Sequence, residues 1–455
     1  MEMRLNRWAI LSIFVATLVG CPAANTEHSK PSNDPAPASP TTKDTHGSDK
    51  SAVEPQVASN DQALVKKLEA HGAMVKLDEG KQIVSVDLSK ETMDKADEAT
   101  EIFSTLGACK QLQKVQAFGP EIRDSQFAEL GKCPELREIE IINSNISDEG
   151  LVSLVGLTHL ESLYLRRANI TDAGMETVSI LQSLLRLDIR HTNVTNLGMP
   201  SIAKIPKLRA VLLEGTKVGD AGLEPLSKIK TLTRLNIRGE LYTNEAAKFI
   251  KEMKNLEVLE MDDTRIKDPG MLELKDLTKI RELSLVRNKV KNPGIAIIKG
   301  MPEMKNLQLR DNYTSDECLD SVVGLTKLVK LDLSEGNFKD PGMKNLEGLK
   351  NLEELSLWSN EITNTGLTHI TGLTKLKKLN LELTRVTDEG VASLKPLTEL
   401  EDLSLKLTEV TDAVFDTIPD FKKLKTLSVA NCSRVTQSAV AELQKKLPNL
   451  KVLGP

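Results

Sequence analysis

The sequence predicts an α/β solenoid: a right-handed arc of stacked coils, with a concave parallel β-sheet and short helices on the convex side. Three observations predict it. A short phrase of the Ile/Val-Thr-Asp-x-Gly kind, seen as "NISDEGL", "NITDAGM" and "KVGDAGL", returns at a fixed interval. Aligned on its Asp or Asn, it places Asp124, Asp148, Asp172, Asn196, Asp220, Asn244, Asp268, Asn292, Asp316, Asp340, Asn364, Asp388 and Asp412 each 24 residues apart, with Gln437 one residue late. Self-similarity at such a period signals stacked repeats. Aliphatic positions keep the same beat, and aromatic residues are only 3 % of the chain, as suits a core made of repeated aliphatic layers.

Each part of the unit has a physical reason. In "LESLYLRRANI" the apolar residues are Leu160, Leu163, Leu165 and Ile170; in "LEELSLWSNEI" they are Leu352, Leu355, Leu357 and Ile362. The two-residue alternation of L-x-L is a short strand with leucines inward and the intervening residues outward. Thr or Asn follows at a fixed place (Thr192, Thr216, Thr264, Asn288, Asn312, Asn360, Thr384, Thr408), where a short polar side chain can bond the buried backbone of the turn. Thr or Asp of the recurring phrase is a favoured helix N-cap. Leu151, Leu154 and Leu157 continue at helical spacing, and the glycine of "VGLT", "EGLK" or "TGLT" suits a left-handed helix end.

These positions match L-x-x-L-x-L-x-x-N-x-L, so the chain resembles the leucine-rich-repeat family across about fourteen units in residues 112–447, with a partial repeat in 448–455. "VTDEGVASLKPLTELEDLSL" is similar to the long arrays of envelope proteins in planctomycete-type bacteria. "NCSRVTQSAV", with Cys432 and one extra residue, resembles the cysteine-containing subclass. In that subclass an F-box implies a ubiquitin-ligase substrate adaptor; no F-box-like helical segment stands before these repeats, which makes that reading the lesser alternative. Residues 61–111 read as a cap: "DQALVKKLEAHGAMV" as a helix, then Ile83, Val86 and Leu88 in strand register.

The amino-terminal end has another character. Arg4 and Arg7 precede the apolar run "AILSIFVATLVG", too short to span a bilayer comfortably but suited to a signal peptide over residues 1–20. "LVGC" resembles the lipobox of bacterial lipoproteins, which implies cleavage before Cys21 and acylation of that cysteine. Residues 21–60 then form the lipidated cysteine and a tether rich in Pro, Ser and Thr, with too few apolar side chains to order itself. The expected location is the cell envelope, exported and lipid-anchored.

The net charge of −5 gives no global field toward nucleic acid. No catalytic or phosphate-cradling motif occurs, and the six histidines stand apart from cysteines and carboxylates at metal-ligand spacing. The expectation is a non-enzymatic module with no cofactor or metal. Cys109 and Cys133 stand 24 apart, at equivalent places of neighbouring coils, and are candidates for a disulfide. Binding candidates are the outward strand positions and their neighbours: Tyr164, Arg166, Arg167, Arg190, His191, Arg234, Arg238, Glu260, Asp262, Arg310 and Trp358. Stacked arginines at 166, 190 and 238 suggest a basic strip, interrupted by Glu214, Glu260, Asp262 and Asp263. Such a face favours a protein partner, with an anionic glycan or cell-wall polymer as the alternative.

Overall fold

The computed structural model describes residues 60–454. Cys21, the segment 1–20 and the tether, save Asn60 at its end, lie outside the described residues. The chain opens with helix α1 (Asn60–Ala70) and an antiparallel hairpin of β1 (Met74–Leu77) and β2 (Ile83–Leu88), followed by helix α2 (Ala96–Ala108). One strand per coil comes next: β3 (Lys114–Phe118), β4 (Glu138–Ile142), β5 (Ser162–Tyr164), β6 (Arg186–Asp188), β7 (Ala210–Leu212), β8 (Arg234–Asn236), β9 (Val258–Glu260) and β10 (Glu282–Ser284). The series continues through β11 (Asn306–Gln308), β12 (Lys330–Asp332), β13 (Glu354–Ser356), β14 (Lys378–Asn380), β15 (Asp402–Ser404), β16 (Thr426–Ser428) and β17 (Lys451–Leu453).

From β2 to β17 every strand pairs in parallel with the next. Leu163 stands beside Leu187, and Leu187 beside Val211, so equivalent residues meet as rungs of one ladder. Short α and 3₁₀ segments return the chain on the other side. The described unit is therefore an open α/β solenoid arc. Its inward aliphatics, Leu160, Leu163, Leu165 and Ile170 among them, are fully buried, and the same ladder runs through every coil.

Of the two N-cap candidates in the recurring phrase, the structure uses the first. The Thr or Ser before the Asp is the N-cap: Ser147, Thr171, Thr195, Thr243, Thr363 and Thr411 each accept from the backbone N–H two residues on. The Asp instead reaches across to the next coil. Asp148 accepts the backbone N–H of Thr171 at 2.8 Å and its hydroxyl at 2.5 Å; Asp172 does the same to Thr195, Asp220 to Thr243, Asp340 to Thr363 and Asp388 to Thr411. Where Asn stands, as at Asn196, Asn244 and Asn364, its amide oxygen still accepts the backbone N–H. Even the extra residue of the last unit is absorbed, since Asp412 meets Thr436. The glycine of the phrase makes room for this bolt: a Cβ on Gly366 would lie 2.5 Å from Asp340 Oδ1, and one on Gly198 2.8 Å from Asp172 Oδ1.

One expectation about turns is corrected. Gly156, Gly348 and Gly372 do not end their helices in a left-handed conformation; of that set only Gly324 does, with φ 90°. The helices close instead with tight i→i+3 bonds, such as Leu157 N–H to Leu154 O and Leu373 N–H to Ile370 O. Left-handed backbone falls at the exit from the strand, at Asn143, Arg167, His191, Asp263, Arg287 and their non-glycine equivalents through Asn431, with φ between 53° and 60°. The buried Thr/Asn column then seals that turn as expected: Thr192 and Thr384 donate to the carbonyl three residues back, and Asn312 and Asn360 each donate to carbonyls of two coils. Cys432 takes the same place and donates to Leu405 O.

In the cap, residues Met74–Leu77 form a strand where the sequence suggested more helix, because Gly72 (φ 76°) turns the chain back into the hairpin. The long first interval is filled by α2, whose Ile102, Phe103 and Leu106 cover the open end of the core.

The bolt and the missing Cβ are two halves of one contact. Asp340→Ala leaves the Thr363 N–H without its acceptor and is expected to cost about 1–3 kcal/mol, and Gly366→Ala a similar amount, about 1–3 kcal/mol, through overlap. In the double variant the overlap is gone, so urea unfolding should show a loss smaller than the sum by at least about 0.5 kcal/mol.

Candidate functional site

The outward strand positions and the left-handed residues after them make one continuous surface. Because strands lie about 4.8 Å apart, a charged side chain on one rung meets its equivalents on the rungs either side. The sequence reading of a basic strip is corrected by what these neighbours are. Asp188 on β6, whose side chain is 0 % exposed, accepts from Arg190 Nε at 2.8 Å and Nη2 at 2.6 Å, and from the Arg190 backbone. Arg166 closes on the same carboxylate at 3.5 Å. Arg190 lies 3.9 Å from Glu214, and Arg238 lies 3.6 Å from Glu214 and 2.9 Å from Asp263. Arg287 completes the chain with a two-pronged contact to Asp263 at 2.6 and 2.7 Å.

The arginines are thus members of an alternating ladder, Arg166–Asp188–Arg190–Glu214–Arg238–Asp263–Arg287, running across the rungs from β5 to β10. Acidic groups do not interrupt a basic strip; they hold it together. Arg234 is paired with Glu260 at 2.9 Å, and Asn236 donates to the other oxygen of that carboxylate. His191 is exposed, with Glu214 at 3.9 Å. Arg167 is exposed and has no ion-pair partner among the described residues, so it is a free cation beside the ladder.

Adjacent carboxylates behave oppositely. Burial pushes Asp262 above the usual carboxylate range, against the bonds it accepts from Ser284 and the Val286 N–H. Burial also pushes Asp263 upward, but the Arg287 and Arg238 guanidiniums outweigh it and hold that group below the usual range. Tyr164 is half-buried and its phenol is pushed up by that burial. Further along, the Arg310 guanidinium sits 4.5 Å from the centre of the Trp358 ring while bonding Glu335 at 3.1 Å. A cation held over an aromatic face in this way is prearranged rather than floppy.

Asp188 and Arg287 are the residues the site reading missed. Their signal was available: Arg287 follows Asp263 by one period, and Asp188 stands between Arg166 and Arg190 in the strand columns. Cys109 and Cys133 are free, buried thiols in this structure rather than a bonded pair. Cys109 donates to Thr105 O and Cys133 to Leu106 O. Burial pushes Cys109 up to about 12 and Cys133 up to about 11, so both are protonated at neutral pH. No cluster of metal-ligating residues occurs among the described residues, and none of their helices is long and apolar enough to cross a membrane.

Such coils, rungs and polar turn columns define leucine-rich repeats. Residues 156–179, 324–346 and 372–395 match the family model described as Leucine Rich repeat. An internalin from Listeria monocytogenes shares the fold with a TM-score of 0.55 and 21 % identity, over 72 % of this chain and 88 % of that one. A leucine-rich-repeat protein of Leptospira interrogans does so with a TM-score of 0.55 and 18 % identity, over 80 % and 99 % of the two chains. No curated protein sequence matches the chain.

Because Asp188 is wholly buried between two guanidiniums, Asp188→Ala leaves Arg166 without its carboxylate and Arg190 with only the longer contact to Glu214. It is expected to cost about 1.5–3 kcal/mol in urea unfolding, whereas Glu361→Ala, removing the exposed Lys339–Glu361 pair, should cost under about 1 kcal/mol.

Proposed function

We propose that the protein is a non-enzymatic binding module of the bacterial cell envelope, anchored by a lipid on Cys21, whose partner is another protein seated on the concave face. The observation that carries this reading is the ladder itself. It offers fixed groups of both signs, flanked by half-buried Tyr164 and by Trp358 under Arg310, across rungs β5 to β13. A surface of alternating sign suits a partner that also carries both signs, and aromatic and Arg side chains of this kind are common anchors of protein interfaces. An anionic glycan would need unpaired cations, and the arginines on which that alternative rested are already occupied by carboxylates.

The test is site-specific photo-cross-linking in living cells with the full chain. A photoreactive residue replacing Tyr164 or Trp358 should trap one discrete protein band, while the same group at Lys248, on the helix side, traps none. Cross-linking only to material digested by cell-wall hydrolases, or only from position 248, would contradict the reading.

A further inference from the structure

The turns that lead from each helix to the next strand form a lateral edge of the arc, and this edge is rich in lysine. Along most of it the 24-residue period supplies an acid one coil away. Lys327 meets Glu303, Lys377 meets Glu353, Lys423 meets Glu399, and Lys425 meets Glu401, at 2.6–2.8 Å. The rule lapses at Lys279 and Lys305, which lack an ion-pair partner among the described residues, and over a longer stretch earlier in the chain. Lys204, Lys207, Arg209 and Lys230 are all exposed and have no ion-pair partner among the described residues. Lys207 is flanked one coil either side by Ser183 and Thr231, where later rungs place Glu or Asn. The carboxylates at the border are Glu176, Glu224, already paired with Lys228 at 3.3 Å, and Glu252.

Apolar side chains adjoin these cations on the same edge. Ile180 occupies the place equivalent to Lys204 and Lys228 in the preceding coil and is 52 % exposed; one coil earlier that place is Gly156, and Val155 beside it is 42 % exposed. Three rungs span roughly 10 Å, since each adds about 4.8 Å, which is about one Debye length at physiological salt. The unpaired charges therefore act together on one planar anionic surface. No aromatic side chain stands among them to stack a base or a sugar ring. Unpaired Lys and Arg beside exposed aliphatics are the combination that seats a protein at a lipid–water interface.

We propose that this edge, Lys204 to Lys230 with Val155 and Ile180, docks on the headgroups of an anionic phospholipid bilayer. The contact is separate from the concave face and stands whether or not Cys21 is acylated. If Cys21 is acylated, the edge adds the second attachment that fixes which way the arc lies on the membrane.

The experiment uses the chain from residue 21 carrying Cys21→Ser, so that neither the apolar leader nor an acyl chain contributes, in flotation with vesicles of phosphatidylcholine alone or with phosphatidylglycerol at one part in three. Binding is expected only to the anionic vesicles and to weaken steeply with added salt. Each neutralised cation should cost on the order of five-fold in partitioning, so the variant Lys204→Gln, Lys207→Gln, Arg209→Gln and Lys230→Gln should lose on the order of a hundred-fold or more. Val155→Ser with Ile180→Ser should weaken vesicle binding several-fold while leaving retention on a soluble polyanion such as heparin unchanged. The proposal is overturned if the parent chain ignores anionic vesicles at low salt. It is equally overturned if the four-fold variant, folded by circular dichroism, still binds, or if vesicle binding is indifferent to Val155 and Ile180 and parallels heparin retention, which would make the edge a site for an anionic polymer.

Discussion

Everything in this solenoid depends on coils of equal length held in register by a carboxylate or amide that belongs to one coil and is used by the next. A single coil has too little apolar surface to offset the entropy of ordering its backbone. Stacking supplies the rest, and stacking tolerates no slippage, because each Asp must meet the N–H and, where there is one, the hydroxyl of the N-cap that follows 23 residues on. The glycine two places beyond the Asp completes the constraint, since its missing Cβ is where the neighbouring coil's carboxylate lies. One phrase of sequence thus caps its own helix, bolts the next coil and makes room for the last.

The same periodicity governs the outer surfaces. Any side chain has near-copies of itself above and below, so charges of one sign would repel along a column unless the sequence alternates them. On the concave side acids from neighbouring columns answer the stacked arginines, and the result is a ladder in which Asp188 is wholly enclosed between Arg166 and Arg190. On the helix-to-strand edge the sequence mostly alternates them, with lysines answered by glutamates one rung away. Departures from alternation are the informative places, because the fold itself needs no unpaired charge there.

The fold was legible in the sequence because its two signals, leucine alternation and the 24-residue beat, are local and repeated many times. Leu163, Leu187 and Val211 stand as neighbours just as their spacing requires. The role of Asp148 was not legible, because a helix-capping motif looks the same whether the acceptor serves its own turn or one 23 residues away. Strand β1 was missed because nothing repeats it. The left-handed residues were misplaced because the usual clue is glycine, and most of these coils hold Arg, His, Asp or even Leu383 and Leu407 there, forced by the packed turn. The arginines were recognised as a column, but their electrostatic state depended on acids from other rungs and columns, which composition alone cannot pair.

The account's central claim concerns the carboxylate bolts between coils, and amide hydrogen exchange measures them most directly. The backbone N–H groups of Thr171, Thr195, Thr243, Thr363 and Thr411 sit at helix N-caps, positions that ordinarily exchange quickly. If preceding-coil carboxylates hold them, they should exchange as slowly as sheet amides such as those of Leu165 and Leu213. Exchange near the unprotected rate at these five threonines, with the sheet still protected, would contradict the account.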